Sequence, residues 1–129
     1  MPFILACDFD GTLFTKSWPK KGKPKKDIIK KIKEFKRLGA EIVLWTCREG
    51  VALEEALKRC KEVDLEFDAI NDTAPSQEAY IKERAKEGEI FATRKIFADF
   101  YLDDKAKNLD YFLTIDVEKT CKSFENRGK

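Results

Sequence analysis

The chain has 129 residues, 43% hydrophobic and 39% charged, with a formal net charge of +2. That length fits one domain, 1–129, which can bury roughly two thirds of its unfolded surface without disulfides or a structural metal, and the apolar content is too high for disorder. There is no histidine, which excludes a histidine triad, a histidine-ligated metal and a histidine base; the cysteines, Cys7, Cys47, Cys60 and Cys121, form no CxxC pair and no zinc spacing.

Phe3 to Cys7 is a short apolar run that reads as a strand buried on both faces, and it stops abruptly at Asp8-Phe9-Asp10-Gly11-Thr12. Thr15 to Lys26, with Pro19, Gly22 and Pro24, reads as a polar loop. Lys16, Lys20, Lys21, Lys23, Lys25 and Lys26 crowd it; such a run is usually a solvated loop, and its functional alternative is a positive rim that attracts an anionic substrate. Ile28, Ile29, Ile32, Phe35 and Leu38 then follow helical spacing, with Asp27 expected as the N-cap and Gly39 at the C-terminal end.

Glu41 to Trp45 reads as a second strand ending at Thr46. Val51, Leu53, Ala56, Leu57 and Cys60 predict a second helix, Phe67 to Ile70 a short third strand, and Pro75 to Lys86 a third helix. Ile96 to Leu102 predicts a fourth strand running into Asp103-Asp104, and Phe112 to Val117 a fifth. The core is expected over about 3–117, with the tail 118–129 frayed. The N-terminus lacks the pattern of a signal peptide, and no apolar run approaches the roughly 20 residues that cross a membrane. Free thiols and no export signal make a reducing cytosol the expected location.

Strands alternating with helices predict an α/β fold, a doubly wound, Rossmann-like parallel sheet with helices on both faces. Ligands of such sheets bind at the carboxyl ends of the strands. Strand one ends in Asp8 and Asp10, strand two in Thr46 and strand four in Asp103 and Asp104. Carboxylates gathered there would repel one another unless a cation intervenes, and Mg²⁺ is the hard ion that suits oxygen ligands. An aspartate nucleophile splits phosphate-ester hydrolysis into two displacements. Thr46 offers a hydroxyl and Lys95 a cation for the phosphoryl oxygens.

Asp8-Phe9-Asp10-Gly11-Thr12-Leu13 resembles the first motif, DxDGT, of the haloacid dehalogenase-like hydrolase superfamily, and Thr46, Lys95 and Asp103-Asp104 follow in the order of its remaining motifs. The similarity runs over about residues 3 to 107. It implies that Asp8 is the nucleophile and a magnesium ligand. Asp10 is then the general acid and later the base, with its backbone carbonyl on the metal. Thr46 and Lys95 hold the phosphoryl oxygens, and Asp103 and Asp104 bind magnesium, one directly and one through water. Asp99 is a further acidic candidate, because some members space their acids that way. The stretch 98–104 also resembles that of the 5'(3')-deoxyribonucleotidases, which hints at a nucleotide substrate. Members that cleave carbon–halogen bonds lack the second aspartate, so Asp10 favours phosphoryl chemistry.

Gly11, Thr12, Cys47 and Arg48 are candidate substrate contacts beside these. Cys47, with no histidine to activate it, reads as a core residue rather than a nucleophile; Arg48 reads equally as a surface ion pair. Trp18 and Asn71 are open between substrate contact and packing. The gaps on either side of Thr46 hold no cap domain, so the site is expected to be open, or covered by the lysine-rich loop or a second copy in a homo-oligomer. The expected partner is a small phosphorylated molecule, with no nucleic acid and no membrane. Rival readings are a phosphotransferase, a receiver-type signalling domain, in which the order of acids and lysine differs, and a non-catalytic phosphoryl-binding or regulatory protein of the same fold.

Overall fold

The computed structural model describes residues 1–16, 22–90 and 93–127. Its centre is β1 (Ile4–Cys7), every residue of which is buried. β2 (Glu41–Leu44), β3 (Ala69–Ile70) and β4 (Phe100–Leu102) join it in a four-stranded, all-parallel sheet of order β3-β2-β1-β4. The register sets Cys7 beside Leu44 on one side and Leu102 on the other, so both neighbouring strands end level with β1. The chain steps outward from β1 to β3 and then crosses back to lay β4 against the free side of β1. That reversal opens the crevice in which such sheets bind ligands, at the carboxyl ends of β1 and β4.

α1 (Lys26–Arg37) turns Ile28, Ile29, Ile32 and Phe35 into the core. Its N-cap is Lys25 rather than the expected Asp27, which lies in the first turn; a carboxylate there still faces the positive end of the helix. Gly39 has the predicted role. With φ +96 it lets Ala40 donate to the Phe35 carbonyl and Gly39 to the Lys36 carbonyl, a Schellman closure that turns the chain into β2. α2 (Gly50–Glu62) packs Ala56 and Cys60 into the same core. α4 (Leu109–Thr114) and α5 (Val117–Phe124) complete that layer.

The expected fifth strand is corrected by α4 and α5. Leu109, Phe112 and Leu113 have helical spacing, and the Asp116 carboxylate accepts from Lys119 N at 2.9 Å to start a second helix. Phe112 stacks on Phe35 with centroids 5.5 Å apart, and Phe35 on Phe3 at 5.2 Å. Burying rings of this size contributes about 1.5–3 kcal/mol each. The tail is not frayed through residue 127. Arg127 is fixed to the Asp99 carboxylate and, at 2.6 Å, to the Pro2 carbonyl.

The second face of the sheet is covered more thinly. Ile4, Ala6 and Val43 meet Ala74, Ile96 and Ala98 there. α3 (Pro75–Ala85) buries none of its own residues, so helical cover on this face rests on its N-cap, Ala74. β4 is shorter than expected because the Tyr101 hydroxyl, donating to the Ile96 carbonyl at 2.6 Å and accepting from Ala98 N at 3.1 Å, ties residues 96–98 down in place of strand pairing. Among the described residues the elements between β1 and β4 are α1 to α3 and two strands, with no cap domain. Among the described residues no helix is long and apolar enough to cross a membrane.

Candidate active site

Asp8 follows the last residue of β1, and its N–H donates to the Leu102 carbonyl at 3.0 Å, which fixes the backbone between β1 and β4. The chain then winds tightly, with the N–H groups of Thr12, Leu13 and Phe14 converging on the Phe9 carbonyl. Gly11 needs φ +81, and a Cβ there would lie 2.8 Å from Asp104 Cγ. Glycine therefore serves the turn and the close approach of Asp104 together. Thr12 is fully buried, and its hydroxyl accepts from Asp104 N at 2.9 Å. This corrects its assignment as a substrate contact. The motif threonine instead bolts the loop after β1 to the loop after β4.

On that second loop the Asp103 carboxylate caps a 3₁₀ turn (Asp104–Ala106), accepting from Lys105 N at 2.9 Å. Asn108 clamps the strand end. Its amide donates to the Tyr101 carbonyl at 2.8 Å while its oxygen accepts from Asp103 N at 3.2 Å. The result is a cluster in which one carboxylate oxygen from each of Asp8, Asp103 and Asp104 lies within 4.8 Å of the others. Burial, then the charges of Asp103, Asp104 and Asp10, push the Asp8 carboxyl up to about 6, although a hydrogen bond from the Phe9 amide pulls the other way.

Asp104 is divided. Its Oδ2 pairs with Lys16 Nζ at 3.3 Å, while its Oδ1 is buried without a hydrogen-bond partner. Burial works against its charge, but Lys16 and the surrounding hydrogen bonds hold its carboxyl below the ordinary value. A buried, unpaired carboxylate oxygen is costly, and three converging acids with one lysine are under-neutralised. A hard dication bound by oxygen atoms satisfies both deficits, so the residues present fit Mg²⁺. Asp99, the other acidic candidate, is excluded from this set. Its Oδ2 accepts from Ile4 N at 2.8 Å and both its oxygens face Arg127, at the opposite end of β4.

Asp10 lies outside this trio. Arg48 grips both its oxygens, Nε to Oδ2 at 2.9 Å and Nη2 to Oδ1 at 2.8 Å, and donates from Nη1 to the Ala52 carbonyl at 3.1 Å. The guanidinium also lies over the Phe9 ring, 4.7 Å from its centroid. The surface ion pair considered for Arg48 is thus directed at the candidate acid–base residue itself. Thr46 stands at the end of β2. Its N–H donates to Asn71 Oδ1 at 2.8 Å and its Oγ1 accepts from Arg48 N at 3.1 Å, leaving the hydroxyl proton to donate. Asn71, with φ +51, is thereby a clamp on Thr46.

Lys95 is not brought onto the acids. Its ammonium lies over the Tyr101 ring, 5.3 Å from the centroid, and forms no ion pair among the described residues. Lys16, one of the crowded lysines, supplies the cation at the cluster instead. Nothing in its sequence context separates it from its neighbours. Cys47 is exposed, which corrects the core reading, whereas burial pushes up the thiols of Cys7 and Cys60. Trp18, Lys20 and Lys21 lie outside the described residues.

No known family profile and no curated protein matches the sequence. Among solved structures the chain is similar to that of a conserved protein from Bacteroides thetaiotaomicron, with 30% identity and a TM-score of 0.64. The match covers 81% of this chain and 78% of that one, and so extends over the sheet and its helices rather than a local motif.

Proposed function

We propose, from the premise that the chain belongs to one family with the conserved Bacteroides thetaiotaomicron protein, that it is a Mg²⁺-dependent phosphohydrolase acting on a phosphate monoester through Asp8. The observation that carries this reading is the under-neutralised trio of Asp8, Asp103 and Asp104, with its orphaned Asp104 Oδ1, at the strand ends where the sheet reverses. Structural carboxylates are normally paired; three left short of countercharge are suited to a cation and an anionic substrate together. The resemblance of the first motif to haloacid dehalogenase-like hydrolases points the same way.

When bound, magnesium would be held by Asp8, Asp103 and Asp104 and would draw off charge from the phosphoryl oxygens. Asp8 then attacks phosphorus through a carboxylate oxygen as the bond to the leaving oxygen breaks. Asp10 gives that oxygen a proton, and the product alcohol departs. In the second half Asp10 takes a proton from water, whose oxygen attacks phosphorus while the bond to Asp8 breaks. Thr46 donates its free hydroxyl proton to a phosphoryl oxygen. Lys95 has a long flexible side chain and would have to leave the Tyr101 ring to join it. Transfer to an acceptor other than water uses the same groups. The free cysteines suit a cytoplasmic setting.

The test is turnover. Purified protein should release phosphate from an aryl phosphate with Mg²⁺ and not with a chelator, and Asp8→Asn should reduce kcat by at least about 10³-fold. Equal activity in the chelated protein or in Asp8→Asn would overturn the reading.

A further inference from the structure

Both oxygens of Asp10 are occupied by Arg48, at 2.8 and 2.9 Å. If Asp10 serves the leaving oxygen, one of those contacts must open during the reaction. The guanidinium would then lose a charged partner while still lying over Phe9 with only 26% of its side chain exposed. It cannot follow Asp10 freely, because the Ala52 carbonyl and the Phe9 ring hold it. It also has capacity to spare. A guanidinium carries five N–H donors, and the described residues account for three, at Nε, Nη1 and Nη2. Two donors remain on a preorganised group one carboxylate away from the leaving side of the substrate.

We infer that Arg48 reads a second anionic group on the leaving part of the substrate, so that the preferred substrates are phosphate monoesters whose alcohol carries a carboxylate or a further phosphate close to the ester oxygen. This rests on the phosphohydrolase reading and deepens it. The second anion takes the free donors of Arg48 and replaces the contact that Asp10 gives up. A planar fork is suited to such groups, where a lysine would act only as a point charge. A neutral group offers the fork neither charge nor a bidentate acceptor and leaves Asp10 held. The described residues form no cap domain to read the leaving group, so this task falls to the loop that follows β2.

The experiment compares 3-hydroxypropyl phosphate with 3-phosphooxypropionate, which share chain length and ester group and end in a neutral hydroxymethyl and a carboxylate, for the wild type, Arg48→Gln and Arg48→Lys with Mg²⁺. The wild type should favour the carboxylate substrate by about 10-fold or more in kcat/KM, the range of a charge-assisted hydrogen bond. Arg48→Gln should abolish that preference, chiefly through KM, on top of a fall in kcat common to both substrates from the loosened Asp10. Arg48→Lys should restore part of the preference without the fork. A wild type with no preference, or a preference that survives in Arg48→Gln, overturns the inference while leaving the phosphohydrolase reading intact. Turnover of neither substrate by a wild type that still hydrolyses an aryl phosphate overturns the inference alone, and turnover of none of the three sinks both. Inhibition by 3-hydroxypropionate but not by 1,3-propanediol gives the same answer on the wild type alone, with no dependence on how the variants fold.

Discussion

β4 has aspartates at both ends, and the two ends could hardly be more differently treated. Asp99, before the strand, is only 9% exposed and fully partnered: Arg127 faces both oxygens and Ile4 N–H donates to one of them. Asp103 and Asp104, after the strand, crowd Asp8 with Lys16 as the one paired cation among the described residues and leave an oxygen buried with no partner. A carboxylate whose bonds are complete holds structure together. Carboxylates whose charge exceeds their partners leave work for something that binds. Spacing in the sequence treats the two ends as alternatives, and only the countercharge separates them.

The largest expected effect contrasts the two ends directly. Asp99→Ala strands Arg127 in a mostly buried place and should cost about 3–5 kcal/mol of stability, lowering the melting temperature sharply while the folded fraction keeps its metal-dependent activity. Asp104→Asn removes a carboxylate that Lys16 and the surrounding hydrogen bonds favour in its charged form, so the metal-free protein should melt only slightly below the wild-type temperature while turnover falls by about 10²-fold or more. Thermal melts in a chelator and initial rates below the transition decide it. If Asp104→Asn unfolds the protein and Asp99→Ala does not, the contrast is reversed.

A smaller effect tests the bolt between the two loops. Thr12→Val keeps the volume and removes the acceptor of Asp104 N–H, which should cost about 1–3 kcal/mol, weaken Mg²⁺ binding and be repaired by Thr12→Ser. Calorimetric titration of the three proteins with Mg²⁺ measures this. Unchanged affinity in Thr12→Val would make the hydroxyl an ornament of the fold.

The smallest effect is a pH dependence. The folded Asp8 carboxyl lies at about 6, above its ordinary value of 3.8. The folded protein therefore holds more protons than the unfolded chain between those values, and the contribution of Asp8 to stability falls as pH rises through that window. Asp8 is only half-buried, so after screening the cost above pH 6 is about 1 kcal/mol. Asp8→Asn should be more stable than the wild type by that amount at pH 7.5 in chelator, and the gap should close towards pH 4. Denaturant melts at both values measure it; a gap that widens on acidification would contradict the raised carboxyl.

Much of this contrast was legible in the chain. The abrupt end of an apolar strand at Asp8, and the acidic pair after a second such strand, placed both on the edge where the sheet binds ligands. What could not be read depended on partners far along the sequence. Asp99 owes its role to Arg127, 28 residues away, in a tail whose composition suggests fraying. Lys16 sits among lysines that look alike, and Asn71 and Asn108 are clamps whose importance lies in the backbone atoms they reach. Phe112 to Val117 was ambiguous because a short apolar run fits a strand or a helix, and the N-cap at Asp116 decides for two helices.

The most direct measurement is fluorine NMR of the protein with beryllofluoride, which mimics a phosphoryl group on a carboxylate, taken with and without Mg²⁺ for the wild type and Asp8→Asn. Bound fluoride signals are expected in the wild type, requiring Mg²⁺ and missing in Asp8→Asn. No bound signal in the wild type, or the same signal in Asp8→Asn, would contradict Asp8 as the nucleophile.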